Sequence, residues 1–253
     1  MIELDKIYNE DCLEGMKRIP DGRVDAIICD LPYGTTDNKW DSIIPFEKLW
    51  VQYKRIIKNN GAIVLFSQQP FTSALVMSNP SMFKYEWIWE KSVGTGFLNA
   101  KFAPMKIHEN ICVFSFSAAA PTKNGEKSMK YNPQYTKGKP YVIKSGSSCS
   151  NYTIKPGSIS ISDGRRHPKD ILRFNSDSEH FHPTQKPVDL LRYLIRTYSN
   201  EGDTILDNCM GSGTTAVACI REKRHFIGFE LNKEYFDKAC KRIDAERRQL
   251  TLF

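Results

Sequence analysis

A carboxylate, a proline and an aromatic residue stand together near the start of the sequence. Asp30, Pro32 and Tyr33 follow the apolar run 24–29, which is typical of a buried strand. Proline has no N–H, so it leaves nearby carbonyl groups free to accept hydrogen bonds. A carboxylate and such a carbonyl can together hold a flat group that bears an NH₂, and a tyrosine ring offers a stacking face. The same residues also make a good turn, so the motif alone leaves both interpretations open.

A glycine-rich turn near the other end of the chain is the second candidate site. Asp207, Gly211 and Gly213 lie between a short predicted strand and a predicted helix. The N–H groups of such a turn and the helix N-terminus favour an anion such as a carboxylate. Glu230 ends the following predicted strand, at a position that binds ribose hydroxyls in folds of this kind. Glycine turns are common, so the indication of a cofactor site depends on the combination with Glu230.

The segments around these motifs alternate between strands and helices. Strands are predicted at 24–29, 62–66, 85–89, 110–116, 204–207 and 225–230, and helices at 46–58, 71–77, 188–198, 212–222 and 232–248. Asn59–Gly61 is expected to end the first of these helices, and Asn232 is expected to cap the last one. This alternation predicts an α/β fold with a mostly parallel sheet and helices on both faces.

Length and composition fit one α/β domain, or one domain with a large insertion. The chain has 253 residues, of which 40% are hydrophobic and 26% are charged. No apolar run reaches the roughly 18–20 residues that a membrane span needs, and the first residues lack a signal-peptide pattern. The seven cysteines are widely spaced and form no C-x-x-C motif. We therefore expect no metal site, and small buried thiols in a reducing cytoplasm.

Most of the excess positive charge lies in the segment 117–180. This segment holds eleven Lys or Arg residues against five acids, while the whole chain has a net charge of +7. It is rich in Ser, Gly and Pro and has no clear period, so we interpret it as an inserted module or a set of ordered loops. A basic stretch suits a polyanion such as nucleic acid, and it equally suits a solvated insertion.

Four segments resemble motifs of amino-group DNA methyltransferases, and they occur in the order of the β group. Asp30–Tyr33 resembles the family's Asp-Pro-Pro-Tyr motif, with leucine in place of the first proline. Asp207–Thr214 is similar to its AdoMet-binding motif, with Asn-Cys in place of the usual Pro-Phe. His182–Pro187 matches the segment before the first helix around AdoMet, and Asn9–Glu14 resembles the N-terminal Gly-Asp-Cys-Leu-Glu.

The resemblance implies an AdoMet-dependent methyltransferase with a Rossmann-like fold. Residues 1–116 would form the catalytic part of the domain, residues 117–180 a basic inserted target-recognition region, and residues 181–253 the AdoMet-binding part of the same domain. It implies catalytic roles for Asp30, Pro32 and Tyr33. The cofactor-binding residues that it implies are Asp11, Cys12, Asp30, Thr184, Gln185, Lys186, Asp207, Gly211, Gly213, Thr214 and Glu230.

The resemblance also implies which part of AdoMet each group of residues meets. The turn Asp207–Gly213 would bound the methionine part, and Glu230 would take the ribose hydroxyls. Asp11 and Cys12 would lie near the adenine. Thr184–Lys186 would meet the carboxylate end, where the lysine supplies the matching charge.

The expected reaction is N6 methylation of an adenine flipped out of double-stranded DNA, which would be gripped by the segment 117–180. Asp30 and the carbonyl beside Pro32 would accept the amino protons, Tyr33 would stack on the base, and the nitrogen would attack the methyl group in line. Aspartate at the first motif position is usual in N6-adenine enzymes, and serine in N4-cytosine enzymes. No cysteine follows a proline, which disfavours a C5-cytosine mechanism.

Several alternatives stay open. The same pocket suits N4 of cytosine or an RNA base. A protein glutamine amide is disfavoured as the substrate, because enzymes of that type place the AdoMet motif before the Pro-Pro-Tyr motif and the order here is the reverse. A non-catalytic DNA-binding relative is an alternative of a different class, which the intact motifs disfavour. Related β-group enzymes are often dimers, so a homodimer is an open expectation. Restriction protection, evasion of phage defence and regulation all remain as biological roles.

Aromatic residues near the catalytic motif and in the segment 87–99 add two smaller expectations. Trp87, Trp89 and Phe97 are predicted to pack in the core rather than to stack on bases. Trp40 and Asp41 either help to hold the flipped base or close a loop.

Overall fold

The computed structural model describes residues 2–35, 41–121, 128–144, 157–177 and 181–250. The chain divides into two compact units, of which one comprises residues 1–132 with 170–253 and the other residues 133–169. In chain order the elements are β1 (Lys6–Tyr8), α1 (Cys12–Met16), β2 (Val24–Asp30), α2 (Phe46–Ile56), β3 (Ile57–Ser67), α3 (Phe71–Ser78), β4 (Phe83–Thr95), a 3₁₀ turn (Phe97–Asn99), β5 (Lys106–Phe114), β6 (Thr136–Lys137), β7 (Tyr141–Lys144), β8 (Ile159–Ser162), β9 (Arg165–Arg166), β10 (Ile171–Arg173), α4 (Val188–Tyr198), β11 (Thr204–Asp207), α5 (Thr214–Arg221), β12 (His225–Phe229) and α6 (Lys233–Leu250).

The larger unit is built on one eight-stranded sheet. Its strand order is β1-β12-β11-β2-β3-β5-β4-β10. Strand β5 runs antiparallel to its neighbours β3 and β4, and all the other pairs are parallel. The predicted mostly parallel α/β sheet is therefore confirmed. Across the described residues, no helix combines the length and apolar character needed to cross a bilayer.

Helices cover both faces of this sheet because successive strand residues point to opposite sides. In β3, Ala62, Val64 and Phe66 belong to the same buried layer as apolar residues of α4, α5 and α6. The intervening Ile63 and Leu65 belong to the layer that contains residues of α1, α2 and α3. The fully apolar strands predicted from the sequence are thus buried on both sides, as parallel sheets require.

The predicted end of the first long helix is wrong. Helix α2 ends at Ile56, and Asn59–Gly61 lies inside strand β3 instead of in a helix stop. The strand starts early because Ile57 pairs with Val24 of β2. A Cβ atom on Gly61 would lie 2.7 Å from the carbonyl oxygen of Asp25, so this glycine permits a close approach of two strands.

The smaller unit contains two short antiparallel ribbons, β6 with β9 and β7 with β8. It is narrower than the predicted insertion 117–180. Met129 is buried in the core of the larger unit, and Ile171–Arg173 form an edge strand beside β4. A three-residue strand shows no period in the sequence. The predicted insertion therefore extends to residue 180, past β10, whereas the smaller unit ends at residue 169. Residues 133–169 nevertheless hold seven Lys or Arg residues against one acid.

The arrangement of the sheet brings the two sequence motifs together. Strands β2 and β11 are parallel neighbours at its centre. From there, α2 leads along one face to β3, and α5 leads along the other face to β12. Asp30 and Asp207 end these two central strands. A crevice at the carboxyl ends of strands where the winding reverses is the usual ligand site of such sheets.

Candidate active site

A cavity of about 620 Å³ opens at this point of the sheet. That volume lies within the range of small-molecule and cofactor sites. Every site residue predicted from the sequence lines the cavity except Gly213. The structure therefore joins the four separate motifs in one place, although Asp11 and Glu230 are more than two hundred residues apart in the chain.

Asp30 is the centre of a partly buried polar cluster, in which its own side chain is 23% exposed. Its Oδ1 accepts a hydrogen bond of 2.5 Å from the hydroxyl of Tyr33, and its Oδ2 lies 2.5 Å from Nζ of Lys186. Burial raises the pKa of Asp30, and the Lys186 ammonium opposes that shift. Burial and the Asp30 charge raise the pKa of Tyr33 far above 10, so its hydroxyl keeps the proton that it donates.

Lys186 joins two carboxylates of the site. Its ammonium group is almost fully buried and forms ion pairs with Asp30 and with Glu109, whose Oε2 is 3.2 Å away. Burial alone would lower the pKa of Lys186, but these two carboxylates raise it above its ordinary value. Its charge is therefore shared between Asp30 and Glu109, and its predicted contact with the carboxylate end of a cofactor stays a prediction.

Glu109 is a site residue that the sequence analysis missed. It lies on β5, forms a second ion pair with Lys91 of β4 at 3.2 Å, and lines the cavity. Burial would raise the pKa of Glu109, yet Lys186 and Lys91 together hold it below its ordinary value. The sequence gives one signal for this residue, which is an acid directly before the predicted strand 110–116. A buried lysine such as Lys186 is stable only when it is paired with carboxylates, so the fold explains why an acid lies here.

Two contacts shape the loop around the catalytic motif. Asp41 accepts hydrogen bonds from the backbone N–H groups of Gly34 and Thr35, both at 2.9 Å. This confirms that Asp41 closes a loop, whereas Trp40 lies outside the described residues. The ring of Tyr33 packs on Phe71 with centroids 5.1 Å apart. These contacts fix the direction in which the motif faces the cavity.

The glycine-rich turn is held by the carboxylate that precedes it. Asp207 is buried, and it accepts hydrogen bonds from the hydroxyl of Thr215 at 2.6 Å and the N–H of Cys209 at 3.0 Å. Burial raises its pKa to about 6. Gly211 lines the cavity with a positive φ of 51°. Gly213 lies behind the turn, where a Cβ would be 3.2 Å from Cβ of Ala239, so its role is to allow the turn.

Glu230 connects this turn to the last helix. Its Oε2 accepts a hydrogen bond of 2.8 Å from the N–H of Gly211, and its Oε1 accepts one of 2.7 Å from the N–H of Asn232. Asn232 caps α6 through its side chain, as predicted. Burial raises the pKa of Glu230. Each carboxylate oxygen keeps a further lone pair that can accept a hydroxyl proton from a ligand in the cavity.

Asp11 and Cys12 lie at the start of the short helix α1. Asp11 caps this helix by accepting hydrogen bonds from the N–H groups of Leu13 and Glu14. The amide of Asn208 lies 3.6 Å from Sγ of Cys12. Both predicted residues line the cavity, on the same side as Glu230 and the glycine-rich turn.

The segment before α4 supplies the remaining predicted residues. Thr184 and Gln185 line the cavity, and His182 lies between Thr184 and the ring of Tyr235, whose centroid is 4.2 Å from the imidazole. Burial and the charge of Lys186 lower the pKa of His182 to about 4. A neutral imidazole in this packing has a structural function.

The described lining of the cavity holds more acids than bases, with Lys91 and Lys186 as its two lysines, and it suits a cationic ligand. Carboxylates of Asp11, Asp30, Glu109, Asp207 and Glu230 all line it. Within the described part of the chain, no group of three or more His, Cys, Asp or Glu side chains could hold a metal ion. The arrangement can bind a positively charged organic group next to the partly buried acceptor Asp30.

Comparison with known proteins places this site in a family. The family described as DNA methylase, N6_N4_Mtase, matches residues 24–241. The Type II methyltransferase M1.MboII of Moraxella bovis is 27% identical in an alignment of 261 positions that covers 94% of this chain and 96% of that protein. The DNA adenine methyltransferase YhdJ of Escherichia coli K12 is 28% identical in an alignment of 263 positions that covers 96% of this chain and 84% of that protein.

A solved structure is also similar to this chain. The crystal structure of the M1.HpyAVI–SAM complex superposes with a TM-score of 0.61 at 25% identity, and the match covers 94% of this chain and 98% of that one. The family match spans both central motifs, Asp30–Tyr33 and Asp207–Thr214, which line the same cavity. The chain therefore belongs to the DNA methylase family and is an amino-group DNA methyltransferase of the N6-adenine and N4-cytosine type.

Proposed function

We propose that the protein methylates N6 of adenine at specific sites in double-stranded DNA. The observation that carries the proposal is the partly buried carboxylate of Asp30, held at 2.5 Å from both Tyr33 and Lys186 at the wall of the cavity. An aspartate at this motif position is the usual form in N6-adenine enzymes. The name of the relative YhdJ, a DNA adenine methyltransferase, supports the same base.

The cavity fits AdoMet, the cofactor of this family. M1.HpyAVI, at 25% identity, has been crystallised with SAM. In this chain the glycine-rich turn and Glu230 form a cradle for the amino acid and ribose parts, and the surrounding carboxylates suit a cationic sulfur. When bound, AdoMet supplies a methyl group on a positively charged sulfur. We assign Asp11, Cys12, Thr184, Gln185 and the turn Asp207–Thr214 to this site.

The chain's own residues then have defined tasks. The Asp30 carboxylate exchanges its hydrogen bond from Tyr33 for one from the amino group of the base. Lys186 stays on the other oxygen and keeps Asp30 ionised. With Asp30 and the carbonyl beside Pro32 accepting its protons, the amino nitrogen is drawn toward a tetrahedral form and frees its lone pair. The new N–C bond forms as the S–C bond breaks, and the amino proton then leaves to Asp30 or to water.

We assign the basic residues of 133–169 to contact with DNA phosphates. Arg165 and Arg166 lie over the rings of Tyr135 and Tyr141, which holds two guanidinium groups in an ordered position. Such contacts position a duplex without reading its sequence. The target base has to leave the helix, because a buried site cannot reach an amino group inside the stack.

Replacing Glu230 with glutamine is expected to weaken AdoMet binding by about ten- to a hundredfold. The amide places an NH₂ group against the N–H of either Gly211 or Asn232, and it removes a charge-assisted acceptor worth about 1.5–3 kcal/mol. Titration calorimetry with AdoMet measures the change. Glu234→Gln is the matched control, because Glu234 is an exposed acid of α6 that pairs with Lys238. Equal affinity for AdoMet in wild type and E230Q would remove Glu230 from the cofactor site.

The substrate class is tested by transfer of labelled methyl from AdoMet to competing polymers. Duplex DNA from a strain without DNA methyltransferases is mixed with total RNA from the same strain, and the label in each polymer is counted. The proposal predicts label in DNA alone, on adenine after acid hydrolysis. Label on cytosine would support N4 methylation at the same site, and label in RNA would overturn the proposed substrate.

A further inference from the structure

The far end of the β4–β5 hairpin carries an exposed apolar tip. Phe97, Leu98 and Phe102 are 75%, 91% and 89% exposed, and we call these three residues the hairpin tip. Trp87 and Trp89 of the same segment are buried, as predicted, whereas the prediction of a core position for Phe97 is wrong. Three large apolar side chains this exposed within six residues of the chain are candidates for an interaction surface.

The hairpin tip is ordered by its own backbone. Gly96 adopts a φ of 89° and opens the 3₁₀ turn Phe97–Asn99. The carbonyl of Asn99 then accepts hydrogen bonds from the N–H groups of Phe102 and Ala103. These bonds hold the backbone of the turn in one conformation, in which the side chains of the hairpin tip are exposed.

The hairpin also forms part of the active-site wall. Lys91, Val93 and Thr95 of β4 line the cavity, and the hairpin tip begins two residues beyond Thr95. From residue 91 to residue 108 the chain contains no acid. Lys101 and Lys106 flank the tip and are both exposed. A positively charged, apolar projection at the side of a base-binding cavity matches a phosphate backbone with stacked bases behind it.

We propose that the hairpin tip is a wedge that enters the DNA duplex beside the target base. Phe97 and Leu98 would occupy the space between base pairs, and Lys101 and Lys106 would contact the adjacent phosphates. This inference rests on the proposed function, since a base must be flipped for such a wedge to be needed. Apolar side chains inserted between base steps offset part of the cost of unstacking and kink the duplex.

The proposal is tested with the double variant Phe97→Ser/Leu98→Ser. Methyl transfer to duplex plasmid DNA from a strain without DNA methyltransferases is expected to fall about tenfold or more, because the stacking of a base on Phe97 and the apolar contact with Leu98 are lost. AdoMet affinity is expected to stay unchanged in calorimetry. Val51→Ser/Met77→Ser is the matched control, since these side chains are also largely exposed but lie on α2 and α3. That control should transfer methyl at the wild-type rate.

A second measurement reports insertion itself. Closed circular plasmid is relaxed by topoisomerase I in the presence of the protein and AdoMet, and the change in linking number is read on a gel. Wild type and the control are expected to unwind the plasmid, and the hairpin-tip variant is expected to lose most of that unwinding.

Three results would overturn the proposal. The first is equal methyl transfer and equal unwinding by the variant and wild type. The second is a fall of the variant's sedimentation mass to half that of wild type, which would make the tip an interface between two copies of the chain. The third is a wild type that methylates no DNA, in which case the proposed function fails first and the wedge fails with it.

Discussion

Replacing Asp30 with asparagine is expected to lower methyl transfer by at least about a hundredfold and to leave AdoMet binding nearly unchanged. The amide has the same shape, and its oxygen can still accept the hydrogen bond from Lys186. Its NH₂ group then faces Tyr33 and the target base, so the acceptor for the amino protons is lost. Single-turnover transfer to DNA and calorimetry with AdoMet measure the two quantities separately.

Asp25→Asn is the matched control for this variant. Asp25 is a buried carboxylate near the other end of strand β2, and it pairs with Lys58 at 2.7 Å and Lys130 at 3.4 Å. We expect this variant to be less stable but to transfer methyl at a rate close to that of wild type. Transfer by D30N at the wild-type rate would contradict the role of Asp30 as the acceptor of the amino protons.

Replacing Lys186 with methionine is expected to reduce the rate at neutral pH and to displace the pH–rate curve to higher pH. The ammonium is the strongest of the influences that lower the pKa of Asp30, while burial and Glu109 raise it. Without Lys186 the pKa of Asp30 rises, the ionised fraction at neutral pH falls, and activity returns as the pH increases. A displacement of about one to three pH units is expected from the loss of a charge at this distance.

The same variant should also be less stable by about 3–5 kcal/mol, because it leaves two carboxylates without their shared cation. The double variant Asp30→Asn/Lys186→Met removes one of these charges and should recover much of that loss while remaining inactive. Lys58→Met, which takes one cation from Asp25, serves as the control and should not move the pH–rate curve. A pH–rate curve for K186M that coincides with that of wild type would show that Lys186 does not set the ionisation of Asp30.

Local signals in the sequence account for most of the fold. Helix α4 and strand β11 have the predicted bounds, because a proline precedes the apolar spacing of α4 and a short apolar run ends at Asp207. Strand β10 is missed because only Leu172 of its three residues is buried. Asn59–Gly61 is misinterpreted because the turn-forming composition of this segment is overridden by pairing with β2.

The motifs predicted many of the residues that line the cavity, but not the ion pairs and hydrogen bonds among them. Asp30 and Lys186 are 156 residues apart. Each belongs to its own sequence motif, and neither motif indicates that the two side chains form an ion pair. Glu109 has no motif at all, and only the fold shows that it shares the Lys186 ammonium with Asp30. The exposure of Phe97 likewise follows from the turn that opens at Gly96, which lies beyond the last buried residue of β4, Trp89.

The most direct test of direct methylation at an adenine amino group uses AdoMet with a fully deuterated methyl group. Unmethylated duplex DNA is incubated with the protein, digested to nucleosides at early times and examined by tandem mass spectrometry. We predict N6-methyl-2′-deoxyadenosine that retains all the deuterium of the transferred methyl, present from the first time point. A methyl group on a ring nitrogen or ring carbon, or no methylated deoxynucleoside from a protein that binds AdoMet, would contradict the account.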